Sequence, residues 1–127
     1  MSLAAQIEGL AHIGIRVHDL ARSRAFYEQL GFIWSWGPFG PENVAGMTHP
    51  SGLELNFIVN APGSEANILM DVQEKHPGIT HIALKIGDLG TTEAALAAAG
   101  IAISGKRGSV ALFIRDPDRN VIELASD

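Results

Sequence analysis

The chain has 127 residues, room for one compact domain or for two half-size modules sharing a core, and its 46% hydrophobic and 18% charged residues are those of a folded protein. A net charge of -5 without a Lys/Arg cluster argues against a nucleic-acid partner, and no apolar run approaches the roughly 20 residues of a membrane span. Met1 to Glu8 lacks the basic start and apolar stretch of a signal peptide, and there is no cysteine, so a cytoplasmic location is expected and any metal must be held by nitrogen and oxygen.

Ala11 to Val17 alternates, with Ile13, Ile15 and Val17 on one face and His12, Gly14 and Arg16 on the other, which predicts a half-buried strand. Asp19 is a natural N-cap for a helix over Leu20 to Leu30, whose apolar spacing is Leu20, Ala25, Phe26 and Leu30 and which Gly31 ends. Strands are predicted at Phe32 to Trp36, Val44 to Thr48 and Leu53 to Val59. In the first of these, Phe32, Trp34 and Trp36 should share a face as core or dimer contacts. A joining stretch over about 61–78 carries Pro62-Gly63 and Pro77-Gly78 as turns. A strand from Thr80 to Ile86 and a second helix, capped by Asp88 and ended by Gly100, then lead to strands at Ile101 to Ser104, Val110 to Arg115 and Val121 to Ala125. The expected organisation is a single α+β domain, 1–127, of tandem βαβββ modules at about 9–60 and 79–127.

The second module repeats the first at an offset of 69 residues. His12 then falls on His81, Arg16 on Lys85, Asp19-Leu20 on Asp88-Leu89, Gly31 on Gly100, and Leu53-Glu54-Leu55 on Ile122-Glu123-Leu124. Packing alone would repeat Ile and Leu; it gives no reason to repeat a His and a Glu. Strand alternation puts Glu54 and Asn56 opposite the face of Leu53, Leu55 and Phe57, so each module presents one imidazole and one carboxylate on its polar face. An unpaired carboxylate in an apolar interior costs several kcal/mol, and a metal shared by His12, Glu54, His81 and Glu123 removes that cost. Two imidazoles and two carboxylates suit one divalent Ni, Zn, Co, Mn or Fe ion in a five- or six-coordinate site. His18, His49 and His76 do not repeat and are expected on the surface or in loops.

Leu-Ala-His12-Ile-Gly-Ile-Arg-Val with Asp19-Leu20, Phe26-Tyr27 and Leu30-Gly31-Phe32, and Thr80-His81-Ile-Ala-Leu with Asp116-Pro117-Asp118 and Val121-Ile-Glu123-Leu, resemble the vicinal oxygen chelate superfamily. The resemblance implies modules whose curled mixed sheet surrounds a metal-containing cavity. Members include glyoxalase I, methylmalonyl-CoA epimerase, extradiol dioxygenases, fosfomycin-modifying enzymes and metal-free bleomycin binders. The His, Glu, His, Glu order is that of bacterial glyoxalase I, and Arg16 falls on its glutathione-contacting arginine. Ile58 stands where that enzyme has an asparagine, with Asn56 two residues earlier on the same strand face. The usual glycine after Asp-Pro-Asp is Arg119, so Asn120 is expected to take the left-handed position.

By resemblance, the expected activity is that of a metal-dependent lyase or isomerase of the lactoylglutathione lyase kind. It would move a proton next to a carbonyl through an enediolate held at the metal, with Glu123 loosening its metal bond to move the proton, Glu54 serving the opposite face, and Arg16 and Asn56 on the substrate. Two alternatives stay open: a ferrous extradiol-type dioxygenase using only His12, His81 and Glu123, and a small-molecule sequestering protein. The expected partner is a small substrate, in one form a thiol adduct, and the expected assembly is a homodimer with sites shared between subunits.

Overall fold

The computed structural model describes residues 2–127, which divide into two compact units, 2–62 and 63–127. Each holds one α-helix on a mixed four-stranded open sheet, an α+β architecture of two α-helices and eight strands among the described residues, preceded by a 3-10 turn at Ala4–Gln6.

In the first unit, β1 (Ile13–Arg16), α1 (Leu20–Gln29), β2 (Ile33–Phe39), β3 (Val44–Thr48) and β4 (Glu54–Ile58) form a sheet of order β1-β4-β3-β2. The first and last strands pair in parallel, because α1 returns the chain in the direction of β1 and the two antiparallel reversals β2–β3 and β3–β4 restore that direction. Asp19 caps α1 by accepting from the Arg22 backbone N–H at 3.1 Å. The buried stripe of α1 is Ser23 and Tyr27 flanked by the half-buried Leu20, Phe26 and Leu30, while Ala25 is exposed. Tyr27 stands edge-on to Phe32 and tilts against Phe57, and Ile15, Val17, Met47 and Leu55 complete the core beneath it.

The second unit repeats the plan with β5 (His81–Lys85), α2 (Leu89–Ala99), β6 (Gly105–Arg107), β7 (Ala111–Arg115) and β8 (Val121–Ala125) in the order β5-β8-β7-β6. Asp88 caps α2 through Thr91, and Gly100 ends it at φ 74°, a left-handed conformation that glycine adopts without penalty. Leu96 meets a core of Leu112, Ile114, Ile122 and Leu124. The strand expected at Ile101 to Ser104 forms later, at β6. Ser104 reaches the ladder through its N–H and its hydroxyl, which donate to Phe113 O at 2.7 and 3.1 Å.

The turn between β7 and β8 departs from expectation: Arg119, not Asn120, takes the left-handed position, at φ 65°. A side chain there is uncommon, and this one has compensating partners. Arg119 Nε donates to Asp71 Oδ2 at 2.7 Å, Arg115 Nη1 donates to the same carboxylate at 3.1 Å, and Asn67 Nδ2 donates to Arg119 O at 3.2 Å. Asp71 thus ties residues 67–71, in the joining stretch, to the β7–β8 turn. The hydrogen bond from Arg119, with that from the Asn67 backbone, holds the Asp71 carboxyl well below the usual carboxylate range.

A depressed folded-state pKa gives stability that is present above the unfolded value of about 3.9 and is lost as pH falls through the folded value. Asp71→Asn should therefore lower the urea midpoint at pH 7, and its gap from the unsubstituted protein should shrink at pH 3. An equal gap at both pH values would mean that the charge of Asp71 contributes nothing.

Candidate functional site

In the first unit, the parallel register sets Gly14 opposite Asn56 and Arg16 opposite Ile58. His12, two residues before Gly14, therefore reaches the same face as Glu54, away from α1. With its amide turned to satisfy both ends, Asn56 accepts from His12 Nε2 at 3.1 Å and donates to Glu54 Oε2 at 3.0 Å. Asn56 bridges the pair. Arg16 shares this face and its Nε donates to Asn60 Oδ1 at 2.9 Å.

Trp34 and Trp36 do not share a face, contrary to expectation. Trp34 pairs with Met47 but Trp36 pairs with Gly46, so one extra residue in β2 forms a bulge and reverses the alternation. Trp34 stays on the helix side, where the Arg24 guanidinium lies 4.5 Å from its ring centre. Trp36 turns to the polar face, its indole over Gly46 and stacked on Phe39 with ring centres 6.4 Å apart. Period-two reasoning could not see this, because a bulge leaves no mark in an apolar pattern.

In the second unit, His81 pairs with Val121 and Ala83 with Glu123, which places His81 and Glu123 on one face. His81 Nε2 lies 3.2 Å from Glu123 Oε1, and its Nδ1 lies 2.8 Å from Thr80 Oγ1, so the ring is held from behind. Phe113, opposite Glu123, meets the imidazole edge-on. Glu123 is 7% exposed.

The other Glu123 oxygen belongs to a residue that the sequence reading missed. Arg107, paired with Ala111 at the sheet edge, donates from Nε to Glu123 Oε2 at 2.8 Å. Its Nη1 and Nη2 each donate to Asp127 at 3.0 Å. Asp127, above all, and Glu123 raise the Arg107 guanidinium above its ordinary range, and Arg107 holds the Asp127 carboxyl below its own. The repeat gave no cue, since the offset sets Arg107 against Pro38. The available cue was Glu123 itself, a buried carboxylate in need of a cation. One guanidinium between two carboxylates still leaves one negative charge over.

The donor chemistry fits a divalent ion. Two ligand atoms at right angles, each about 2.1 Å from a metal, are about 3.0 Å apart, close to the His81–Glu123 separation. Among the described residues, however, no three His, Asp or Glu side chains gather to hold an ion. Each unit offers two donors. The non-repeating histidines stand apart from these pairs: His18 Nδ1 lies 3.0 Å from Ala61 O, His49 packs on Phe32, and His76 lies 3.6 Å from Glu74.

Residues 9–124 match the family model of the Glyoxalase/Bleomycin resistance protein/Dioxygenase superfamily. The chain belongs to that superfamily. Solved structures of the superfamily share its fold. A glyoxalase family protein from Enterococcus faecalis is 22% identical with a TM-score of 0.76, over 94% of this chain and 98% of that one. The fosfomycin resistance protein FosX from Listeria monocytogenes is 20% identical with a TM-score of 0.72, over 94% and 91%. A mutant of that FosX was solved with Mn(II) and 1S,2S-dihydroxypropylphosphonic acid. No curated protein sequence matches this chain significantly. No helix among the described residues is long and apolar enough to cross a membrane.

A methyl group at position 46 would run into the Trp36 indole, which must then leave the polar face. In a Trp34→Phe background, Gly46→Ala should shift Trp36 emission to the red as the ring becomes more exposed. An unchanged spectrum would show that the indole does not rest on Gly46.

Proposed function

We propose that this superfamily member is a metal-dependent lyase or isomerase that moves a proton next to a carbonyl in a small substrate bearing adjacent oxygens. The observation that supports this most is the repeated pairing of one imidazole with one carboxylate, through Asn56 in the first unit and directly at 3.2 Å in the second. In this reading His12, Glu54, His81 and Glu123 are the ligands of one divalent ion, with the two pairs drawn from one chain or from two chains of a homodimer. The Mn(II) in the FosX structures supports a divalent ion without naming it. When bound, the metal supplies a Lewis acid that makes a carbon-bound proton acidic enough for a carboxylate to remove.

The side chains divide the remaining work. Glu123, by resemblance a mobile carboxylate, is held by His81 at one oxygen and by Arg107 at the other. Glu54 is half-buried and is held by Asn56 at one oxygen, so it has the greater freedom to take and return a proton. We therefore assign the proton transfer first to Glu54, with Glu123 serving the opposite face of the substrate. Arg16 offers a cation on the Glu54 face for an acidic substrate group, and Trp36 with Phe39 gives an apolar wall there. The substrate class that fits is an α-oxoaldehyde–thiol adduct or an epimerisable acyl thioester.

In deuterated water, the metal-loaded protein should exchange the carbon-bound proton of such an adduct, followed by NMR. Glu54→Gln should slow the exchange by about 10²–10⁴-fold. Exchange at an unchanged rate in Glu54→Gln would remove Glu54 from the reaction. Oxygen consumption with a catechol in place of exchange would replace this reading with ring cleavage.

A further inference from the structure

Arg107 lies outside every ligand and proton-carrying role assigned above, yet it makes the shortest polar contact to Glu123, 2.8 Å from Nε to Oε2. Its reach is made possible by small neighbours. Arg107 pairs with Ala111, which pairs in turn with Ala125, so along that row only methyl groups lie beneath the guanidinium as it reaches past Phe113 to Glu123. The guanidinium end is fixed in turn by its two hydrogen bonds to Asp127. The Nε–H therefore has one direction in which to point, and Glu123 Oε2 stands there.

A carboxylate can ligate a metal through one oxygen or through both. Here the two oxygens are not equivalent: Oε2 accepts from Arg107, and Oε1 alone faces His81 Nε2. We propose that Arg107 is a positioning residue that limits Glu123 to one-oxygen ligation. The inference rests on the metal reading given above. Its consequence is a coordination position kept open for substrate, since a carboxylate spending both oxygens on the ion would take two places in a shell of five or six. A substrate that binds through two adjacent oxygens needs both of the places that four single-oxygen or single-nitrogen ligands leave in a shell of six. Arg107 thus governs how many oxygens of the substrate can be held.

Two variants separate this role from a merely structural one. In Arg107→Gln the new side chain carries an N–H at the same number of bonds from the backbone as Arg107 Nε, whereas Arg107→Met has similar length and no donor. With zinc as the probe ion, X-ray absorption should find one more oxygen in the first shell of Arg107→Met, with the carboxylate carbon drawn closer. Arg107→Gln should keep the shell of the unsubstituted protein. An independent measurement needs no variant: the Arg107 Nε–H resonance should stay shifted and protected from exchange after zinc is added. Zinc bound with the same shell in all three proteins, or a Nε–H signal lost on zinc binding, would overturn the Arg107 proposal and leave the metal reading standing. Failure of the unsubstituted protein to take up zinc would sink the metal reading and this inference with it.

Discussion

The parallel pairing of the first strand of each unit with the last is the constraint on which the rest depends. The helix returns the chain to run in the direction of the first strand, two antiparallel reversals restore that direction in the closing strand, and the register of the resulting parallel pair decides which side chains share a face. In both units it places a histidine from the leading strand and a glutamate from the closing strand on the side away from the helix. The helix side is filled by Tyr27, Phe57 and Met47 in one unit and by Leu96, Ile114 and Ile122 in the other. A one-residue slip would bury the carboxylates under the helices, so the same apolar packing that stabilises each sheet also aims its polar groups.

The two pairs are not copies at the level of side chains. In the first unit an amide stands between imidazole and carboxylate; in the second they approach directly, and the carboxylate is buried between His81 and Arg107. Burial of Glu123 therefore does not by itself demand a metal, because Arg107 supplies a counter-charge. What still favours a cation is the charge balance, with Asp127 sharing the same guanidinium, and the orientation of His81, whose second nitrogen is held by Thr80. The repeat gave the frame, and two residues without a counterpart, Asn56 on β4 and Arg107 on β6, gave each unit its own chemistry.

Much of this was legible in the sequence for a physical reason. Strand alternation and helix capping are local, so Asp19, Asp88, β3 and β8 could be placed from neighbours alone. The features that escaped depend on partners distant in the chain or on irregular backbone. The bulge that turns Trp36 over, the shift of β6 to Gly105–Arg107 and the left-handed Arg119 leave no periodic trace. Arg119 tolerates its backbone beside Asp71, 48 residues earlier, and no local rule connects the two. Arg107 escaped for the same reason, since its meaning lies in Glu123 across the sheet.

The central claim is that both His/Glu pairs serve one ion, and the most direct measurement is metal stoichiometry by mass spectrometry after reconstitution, for the unsubstituted protein and for His12→Ala and His81→Ala. The account predicts one divalent ion for each set of two pairs, lost in either variant because each removes a ligand of the same ion. Metal retained in His12→Ala, or no metal bound by the unsubstituted protein, would contradict it.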